Sequence, residues 1–331
     1  MDTPRLRIEG SRQGGCSWEA EGDGQGGQGG GGRGKMRAPP YVLGNARFGA
    51  VGKPVLVGSL FYRGDKKVSD HRTGEVDTKR VKGELETAER VARRVGLPHA
   101  VDVIAETPEA MCKYIGLLAD LTESPLLIGG LNEESRVAGY RKALEIGISS
   151  RCGVNSVSTC TAETELAELG ANKIRFAIIQ TLDPSAVYPE EKLALLRDVL
   201  LGRCESAGIE GAAVDVGIID FTSTHLAVES MKLIRKELGL PCGCAPSNAA
   251  YQTLLKKKVS RKSARAINSA LNTIVQLGGA DFIIYGPLKA STYIFEAVAV
   301  VEAIKAYGAR LSGDRSIDKD HPLFKFLPKL G

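Results

Sequence analysis

The amino-acid sequence predicts an α/β protein whose body is one (β/α)8 TIM barrel. Three observations predict it. Eight apolar strand-like runs, each followed by a helix-like segment, fit between residues 54 and 306 of a 331-residue chain. That count and length match a closed barrel better than a doubly wound sheet. No G-x-G-x-x-G follows a strand and no phosphate-binding loop motif appears, which disfavours a Rossmann domain. Polar residues recur where the runs end, the rim at which barrels carry their chemistry.

The elements follow in order. Val55–Tyr62 is a continuous apolar run, as expected of a strand covered on both faces. A polar loop through Asp65, Asp70, His71 and Glu75 leads to a helix from about Asp77 to Val95. The second strand, Ala100–Ala105, closes on Glu106-Thr107-Pro108, where Thr107 suits an N-cap and Pro108 the first helical position. Met111, Tyr114, Ile115 and Leu118 then keep helical spacing. The third unit is Pro125–Leu131 with a helix near Glu133–Ile146, and the fourth Arg151–Val157 with a helix over Ala162–Leu169. The fifth strand, Ile174–Gln180, precedes Asp183-Pro184 and a helix from Glu190 to Ala207. The sixth, Ala212–Ile219, precedes a helix from about Ser223 to Leu238.

Residues 241–246 make the seventh strand, broken at Pro246-Ser247, with Asn248 at the turn. An extended basic insert (Lys256, Lys257, Lys258, Arg261, Lys262) is expected next. It leads to a helix with Ile267, Ala270, Leu271 and Ile274 on one face. Asp281–Tyr285, closed by Gly286-Pro287, is the eighth strand, and Ile294, Ala297, Val298 and Val301 share a stripe of its helix.

Three segments follow from composition. Residues 1–40 are a Gly-rich extension, with twelve glycines in the first 35 positions and almost no apolar side chains. It is expected to be disordered, or mis-assigned to the protein, Met36 being an alternative start. The barrel spans 54–307, and 308–331 is a C-terminal tail. The net charge of +5 is mild, with 25% charged residues, and implies no nucleic acid. No run approaches the roughly 20 apolar residues of a membrane helix and no signal peptide opens the chain. A cytoplasmic protein with no direct membrane span is the expectation.

The candidate site residues are those at strand ends: Glu106 after the second, Asn155 in the fourth, Asp183 after the fifth, Asp215 in the sixth and Asn248 after the seventh. Carboxylates and amides in an open ring suit a flat heterocycle bearing amide and amino groups. A carboxylate accepts parallel bonds from adjacent N–H and NH2 groups, and an Asn side chain both donates and accepts. Plainer roles stand beside these. Glu106 can favour the positive end of its helix, Asp183-Pro184 can mark a turn, and Asn248 can cap a helix. Asp215, alone in a strand of Ala, Val, Gly and Ile, must be satisfied or at work. None of the four histidines (His71, His99, His225, His321) ends a strand, so a Ser-His or Cys-His nucleophile pair is poorly supported.

The seven cysteines are sparse and odd in number, which argues against a disulfide framework. Cys242-x-Cys244 puts two thiols on one strand face. They read either as small packed residues or as half of a zinc-thiolate site, for which no further ligands are marked.

At these residues the sequence resembles the H subunit of tetrahydromethanopterin S-methyltransferase and its stand-alone relatives, among them the methylcorrinoid:tetrahydrofolate methyltransferases. The resemblance covers about residues 54–307. It rests on Val55-Leu56-Val57-Gly58-Ser59-Leu60-Phe61-Tyr62, Glu106-Thr107-Pro108-Glu109-Ala110-Met111 with Lys113-Tyr114-Ile115, and Asn155-Ser156. It continues through Asp183-Pro184, the Pro241-to-Asn248 segment, and Gly279-Ala280-Asp281-Phe282 with Tyr285-Gly286-Pro287.

The resemblance implies a pterin-binding barrel that exchanges a methyl group between a corrinoid cobalt and N5 of tetrahydromethanopterin or tetrahydrofolate. By similarity, Asp215 and Asn155 hold the pterin ring, Asn248 lies near N5 and acts in catalysis, and Glu106 matches an acidic position. The corrinoid arrives on a partner protein or subunit, no metal is bound directly, and a homodimer and a peripheral place on a membrane complex are further expectations. The loop at Arg63–Val76 and the basic insert at Lys256–Arg265 are candidate rim elements for that partner, the insert reading alternatively as a solvated helix face. The chain departs from the family at Gly129-Gly130, where relatives typically carry an Asp-Ser pair. Two other readings stay open: a zinc-thiolate corrinoid methyltransferase using Cys242 and Cys244, and a non-catalytic docking subunit.

Overall fold

In the computed structural model the chain is described over residues 39–49, 53–257 and 259–330, without the side chains of 252–257. Residues 1–38, which hold nearly all of the Gly-rich extension, lie outside the described residues. The described chain enters through an antiparallel hairpin of β1 (Tyr41–Leu43) and β2 (Ala46–Phe48). β3 (Val55–Leu60) follows, then a small second hairpin of β4 (Val68–Asp70) and β5 (Glu75–Val76). The remaining strands are β6 (His99–Val103), β7 (Leu126–Ile128), β8 (Cys152–Val157), β9 (Phe176–Gln180), β10 (Gly211–Asp215), β11 (Cys242–Cys244) and β12 (Phe282–Pro287). β3 and β6 to β12 pair in parallel around a closed barrel. The eight-stranded barrel expected from the sequence is the observed fold.

Helices separate the strands: α1 (Thr78–Val95), α2 (Pro108–Leu121), α3 (Glu133–Glu145), α4 (Glu163–Ala171), α5 (Pro189–Leu195) and α6 (Leu201–Ser206). A π turn over Leu196–Leu200 joins α5 to α6, so the segment runs as the long helix its sequence predicts. Then come α7 (Ser223–Leu238), α8 (Pro246–Lys257), α9 (Arg261–Leu277), α10 (Ser291–Leu311) and α11 (Pro322–Lys325). The starts follow from local chemistry. The side chains of Asp77, Thr107, Asn132 and Ser260 each accept a hydrogen bond from a backbone N–H in the first turn, satisfying donors the helix cannot.

Two expectations about the seventh unit need correction. The chain does not turn at Asn248: α8 begins at Pro246, because proline has no N–H to lose at the first helical position. Nor is there an extended basic insert. Lys256 and Lys257 end α8, Arg261 and Lys262 open α9, and Lys258 lies outside the described residues.

The first hairpin closes the floor of the barrel. Phe48 is fully buried, its ring 4.5 Å from that of Phe176 and 6.0 Å from that of Phe282, at the starts of β9 and β12. Tyr41 lies so close over Gly211 that a Cβ there would sit 3.0 Å from the ring. Apolar side chains thus seal the N-terminal end, leaving the other end for polar work.

Candidate functional site

Alternation along β6 and β12 fixes which side chains face inward. The rings of His99 and Tyr285 each meet Phe295 of α10 at 5.7 Å, so both point out toward the helices. Asp102, three residues after His99, therefore faces into the barrel. Its carboxylate is nearly inaccessible, 4% exposed, and both oxygens accept hydrogen bonds. Oδ1 takes one from Asn155 Nδ2 at 3.0 Å and Oδ2 one from Ser59 Oγ at 2.8 Å. Burial raises the Asp102 pKa above the usual carboxylate range, against the pull of these two donors. The bond to Asn155 passes over β7, where Gly129 leaves room. A Cβ at 129 would stand 3.0 Å from Asp102 Oδ1.

Register carries the inner face round to the second carboxylate. Asn155 pairs with Ile178 of β9, and Asp215 with Gln180 of β9 and Gly243 of β11. Asn155 and Asp215 thus flank β9 near its C-terminal end. Asp215 ends β10 at 4% exposure, and its Oδ1 accepts from Gly217 N at 2.8 Å. Gly217 takes φ +69°, a conformation glycine adopts freely, and this turns its N–H back onto the carboxylate. The Asp215 backbone oxygen accepts from both the N–H and the hydroxyl of Thr181. Burial pushes the Asp215 carboxyl up to about 6, and the Gly217 N–H and the Lys192 charge pull it back. Lys192 reaches in from α5, buried, donating to the Val216 carbonyl at 2.6 Å; burial lowers its pKa.

The other predicted residues stand at the rim. Glu106 Oε1 lies 3.6 Å from Nε of the exposed Arg63, and the Glu106 carbonyl accepts from Asn132 Nδ2. Asp183 spends its carboxylate on its own loop: Oδ1 accepts from Ser185 N and Oγ, and Oδ2 from Thr159 Oγ1 at 2.8 Å. The Ser185 and Thr159 donors hold its carboxyl below the usual range. Asn248 lies in the first turn of α8 with an exposed side chain. Its backbone N–H bonds the Ala245 carbonyl, and among the described residues its amide caps nothing. The structure thus joins Asn155 to a buried cluster and brings Asp215 to the neighbouring inner face. Glu106, Asp183 and Asn248 stay outside those hydrogen bonds.

The rim loop at Arg63–Val76 is built rather than loose. Asp65 accepts from the Phe61 and Lys67 N–H groups, Phe61 stacks on Tyr114 at 4.0 Å, and the Thr107 hydroxyl donates to the Arg72 carbonyl. Sequence reasoning missed Asp102, Ser59 and Lys192. The signal for Asp102 was its parity within His99-Ala-Val-Asp-Val103; Lys192 sits in a helix and left none.

Cys242 and Cys244 flank the inward Gly243, so both thiols face the outer helices, and burial raises both pKa values. Among the described residues no group of three or more His, Cys, Asp or Glu side chains stands together as a metal site. A cavity of about 1150 Å³ opens at the barrel's other end, lined by Arg47, Lys53, His99, Asp120, Asp318 and His321. Lys53 precedes β3 and His99 begins β6, which places the cavity at the end opposite the rim where barrels do chemistry.

Comparisons with known proteins fit this geometry. Residues 43–316 match the family model described as Tetrahydromethanopterin S-methyltransferase MtrH subunit. The corresponding subunit of the tetrahydromethanopterin S-methyltransferase of Methanothermobacter marburgensis is 29% identical over 284 residues, covering 82% of this chain and 91% of that protein. The same subunit from Methanosarcina acetivorans is 27% identical over 304 residues, covering 86% and 96%. Among solved structures, 7,8-dihydropteroate synthase from Vibrio fischeri superposes with a TM-score of 0.59 at 14% identity, covering 84% of this chain and 99% of that one. Dihydropteroate synthase of Yersinia pestis with a pterine-sulfa conjugate gives 0.57 at 14% identity, covering 77% and 95%. At such identities the structural likeness establishes the fold.

Proposed function

The chain belongs to the MtrH family of tetrahydromethanopterin S-methyltransferase subunits, and on that premise we propose that it moves a methyl group between a protein-bound corrinoid and N5 of a tetrahydropterin. The observation that carries the reading is Asp215. It is a buried carboxylate at the C-terminal end of an apolar strand, held ionisable beside a buried lysine. A carboxylate so placed suits the N–H and amino edge of a pterin, each charge-assisted bond contributing roughly 1.5–3 kcal/mol. Asn155, on the other side of β9, is proposed to hold the same ring. Glu106 and Asp183 are proposed to shape the rim around it. Tetrahydromethanopterin and tetrahydrofolate share that ring edge, and either is a proposed substrate.

In the direction of pterin methylation, the N5 lone pair forms a bond to the methyl carbon of the methylated corrinoid. The carbon–cobalt bond breaks with its electron pair left on cobalt, so methyl-Co(III) becomes Co(I). N5 then releases its proton to solvent. In reverse, N5 must be protonated or strongly hydrogen-bonded before the methyl group leaves. The protein's part is alignment of two large substrates, which removes much of the entropic barrier. Asn248 is proposed to support the polarised N5 with its amide, a role its exposed and uncommitted side chain permits.

The corrinoid-carrying partner, a protein or subunit, is proposed to dock over the open rim, near the Arg63–Val76 loop and the basic start of α9. A second copy of the chain is proposed on the outer face of α9 and α10. There Ile274 (51%), Leu277 (68%), Ile304 (63%), Tyr307 (55%) and Leu311 (73%) are exposed on neighbouring helices. Large exposed apolar side chains on adjoining helices suit an interaction surface. Among the described residues no helix is long and apolar enough to cross a membrane; a peripheral place on a membrane complex, held by partners, is proposed.

The test is to mix purified protein with a methylated corrinoid protein and each tetrahydropterin in turn, following the corrinoid spectrum. Pterin-dependent appearance of Co(I) is expected. Absence of both pterin binding and transfer would instead favour a docking subunit, and transfer that needs stoichiometric zinc would favour the thiolate reading.

A further inference from the structure

Asp102 has no place among the residues the sequence singles out, yet it is a buried carboxylate with both oxygens bonded to side chains of neighbouring strands. Its two oxygens accept from Asn155 Nδ2 and Ser59 Oγ, and it is 4% exposed. An ionised carboxylate can only accept hydrogen bonds, so the group that Asn155 turns toward it must be the NH2. The amide carbonyl of Asn155 then points the other way. Asn155 is partly exposed, and among the described residues its Oδ1 accepts no hydrogen bond. Gly129 is part of the same device, since a Cβ at that position would crowd Asp102 Oδ1 and the Asn155 backbone oxygen, at 3.0 and 3.3 Å.

We infer that Asp102 is a positioning residue that locks the Asn155 amide with its carbonyl oxygen toward the mouth, so that this point of the site reads a hydrogen-bond donor on the substrate ring. The donor class is an N–H or exocyclic amino group. A ring presenting a carbonyl at the same edge meets Asn155 oxygen to oxygen and is rejected. The inference rests on the proposed pterin site and adds the direction in which Asn155 reads the ring. It also gives Gly129 a role: an empty space that lets a carboxylate on β6 reach an amide on β8.

The experiment compares a reduced pterin with its 2-oxo analogue, in which the exocyclic amino group is replaced by oxygen. Both are titrated into wild type and Asp102→Asn. Wild type is expected to prefer the amino compound by about tenfold or more, the scale of one unpaired polar group. The Asn variant keeps shape and volume but can either accept from or donate to Asn155, so the Asn155 amide can turn over at little cost. Its affinity for the 2-oxo analogue is expected to rise and the preference to fall severalfold, to the share that Asp215 keeps, with the amino compound weakened only slightly. Equal loss of both ligands in Asp102→Asn, or an unchanged ratio, would overturn the inference and leave the pterin site standing. If wild type binds neither compound, the proposed function fails first. The lock is then judged from the Asn155 side-chain NH2 resonances of the ligand-free protein. One set of signals in slow exchange with solvent supports it, and fast exchange overturns it.

Discussion

Asp215 sits between two opposing demands, and pH separates them. Its carboxyl titrates near 6 in the fold against an ordinary value of 3.8, because burial penalises the charge. Ring recognition needs the ionised form, so pterin affinity should fall as pH drops through about 6. Stability should move the other way. A raised folded pKa means that Asp215's contribution to stability is fully present below about pH 4 and is lost as pH rises through 6, on the order of 3 kcal/mol. Denaturant unfolding of wild type beside Asp215→Asn should show wild type gaining on the variant between pH 7 and pH 4; a constant gap would contradict the assignment. At pH 7 the same variant should bind pterin more weakly by roughly 1.5–3 kcal/mol with the fold intact. Lys192→Met should move the midpoint of binding to higher pH, because it removes the cation that favours the carboxylate.

Asn248 gives a kinetic contrast. If it acts as the methyl group moves, Asn248→Ala should lower turnover by around a hundredfold with little change in pterin affinity. A loss of about 1 kcal/mol in stability with normal turnover would mark a structural role instead. Asp215 was legible in the sequence because a carboxylate has no reason to lie among Ala, Val and Ile unless it is satisfied or used. Asp102 carries the same signal, among Ala100, Val101, Val103 and Ile104, but Glu106 just past that strand drew the reading in its place.

At the scale of elements, the eight strand-helix units could be read because each strand is a dense apolar run and several helices, α1, α2, α3 and α9 among them, open on a capping side chain. The seventh unit misled because Pro246-Ser247 reads as a break, whereas proline at that point starts α8. The β1–β2 hairpin was invisible because three-residue strands are too short to show alternation. On α9 the expected core face was only half right. Leu271 is buried, but Ile274 is exposed, because the helix carries apolar residues on two sides. The second side, continued onto α10, is where a second copy is proposed. Leu277→Glu combined with Ile304→Glu should convert a dimer to monomer in light scattering while leaving pterin affinity unchanged. A wild-type protein that is monomeric at tens of micromolar would remove the homodimer from the account.

The whole molecule divides its two ends by chemistry. Aromatic side chains of the first hairpin and of β9 and β12 seal one end. Buried carboxylates and an oriented amide gather toward the other, under a rim loop fixed by Asp65 and Thr107. The central claim is that a methyl group crosses between cobalt and N5 at that second end. Its most direct test is one turnover with 13C-methyl on N5 of the tetrahydropterin and a Co(I) corrinoid protein, with the label located by NMR. Label is expected on cobalt in wild type at a rate that Asn248→Ala cuts about a hundredfold. Label that stays on N5 while the pterin is demonstrably bound would contradict it.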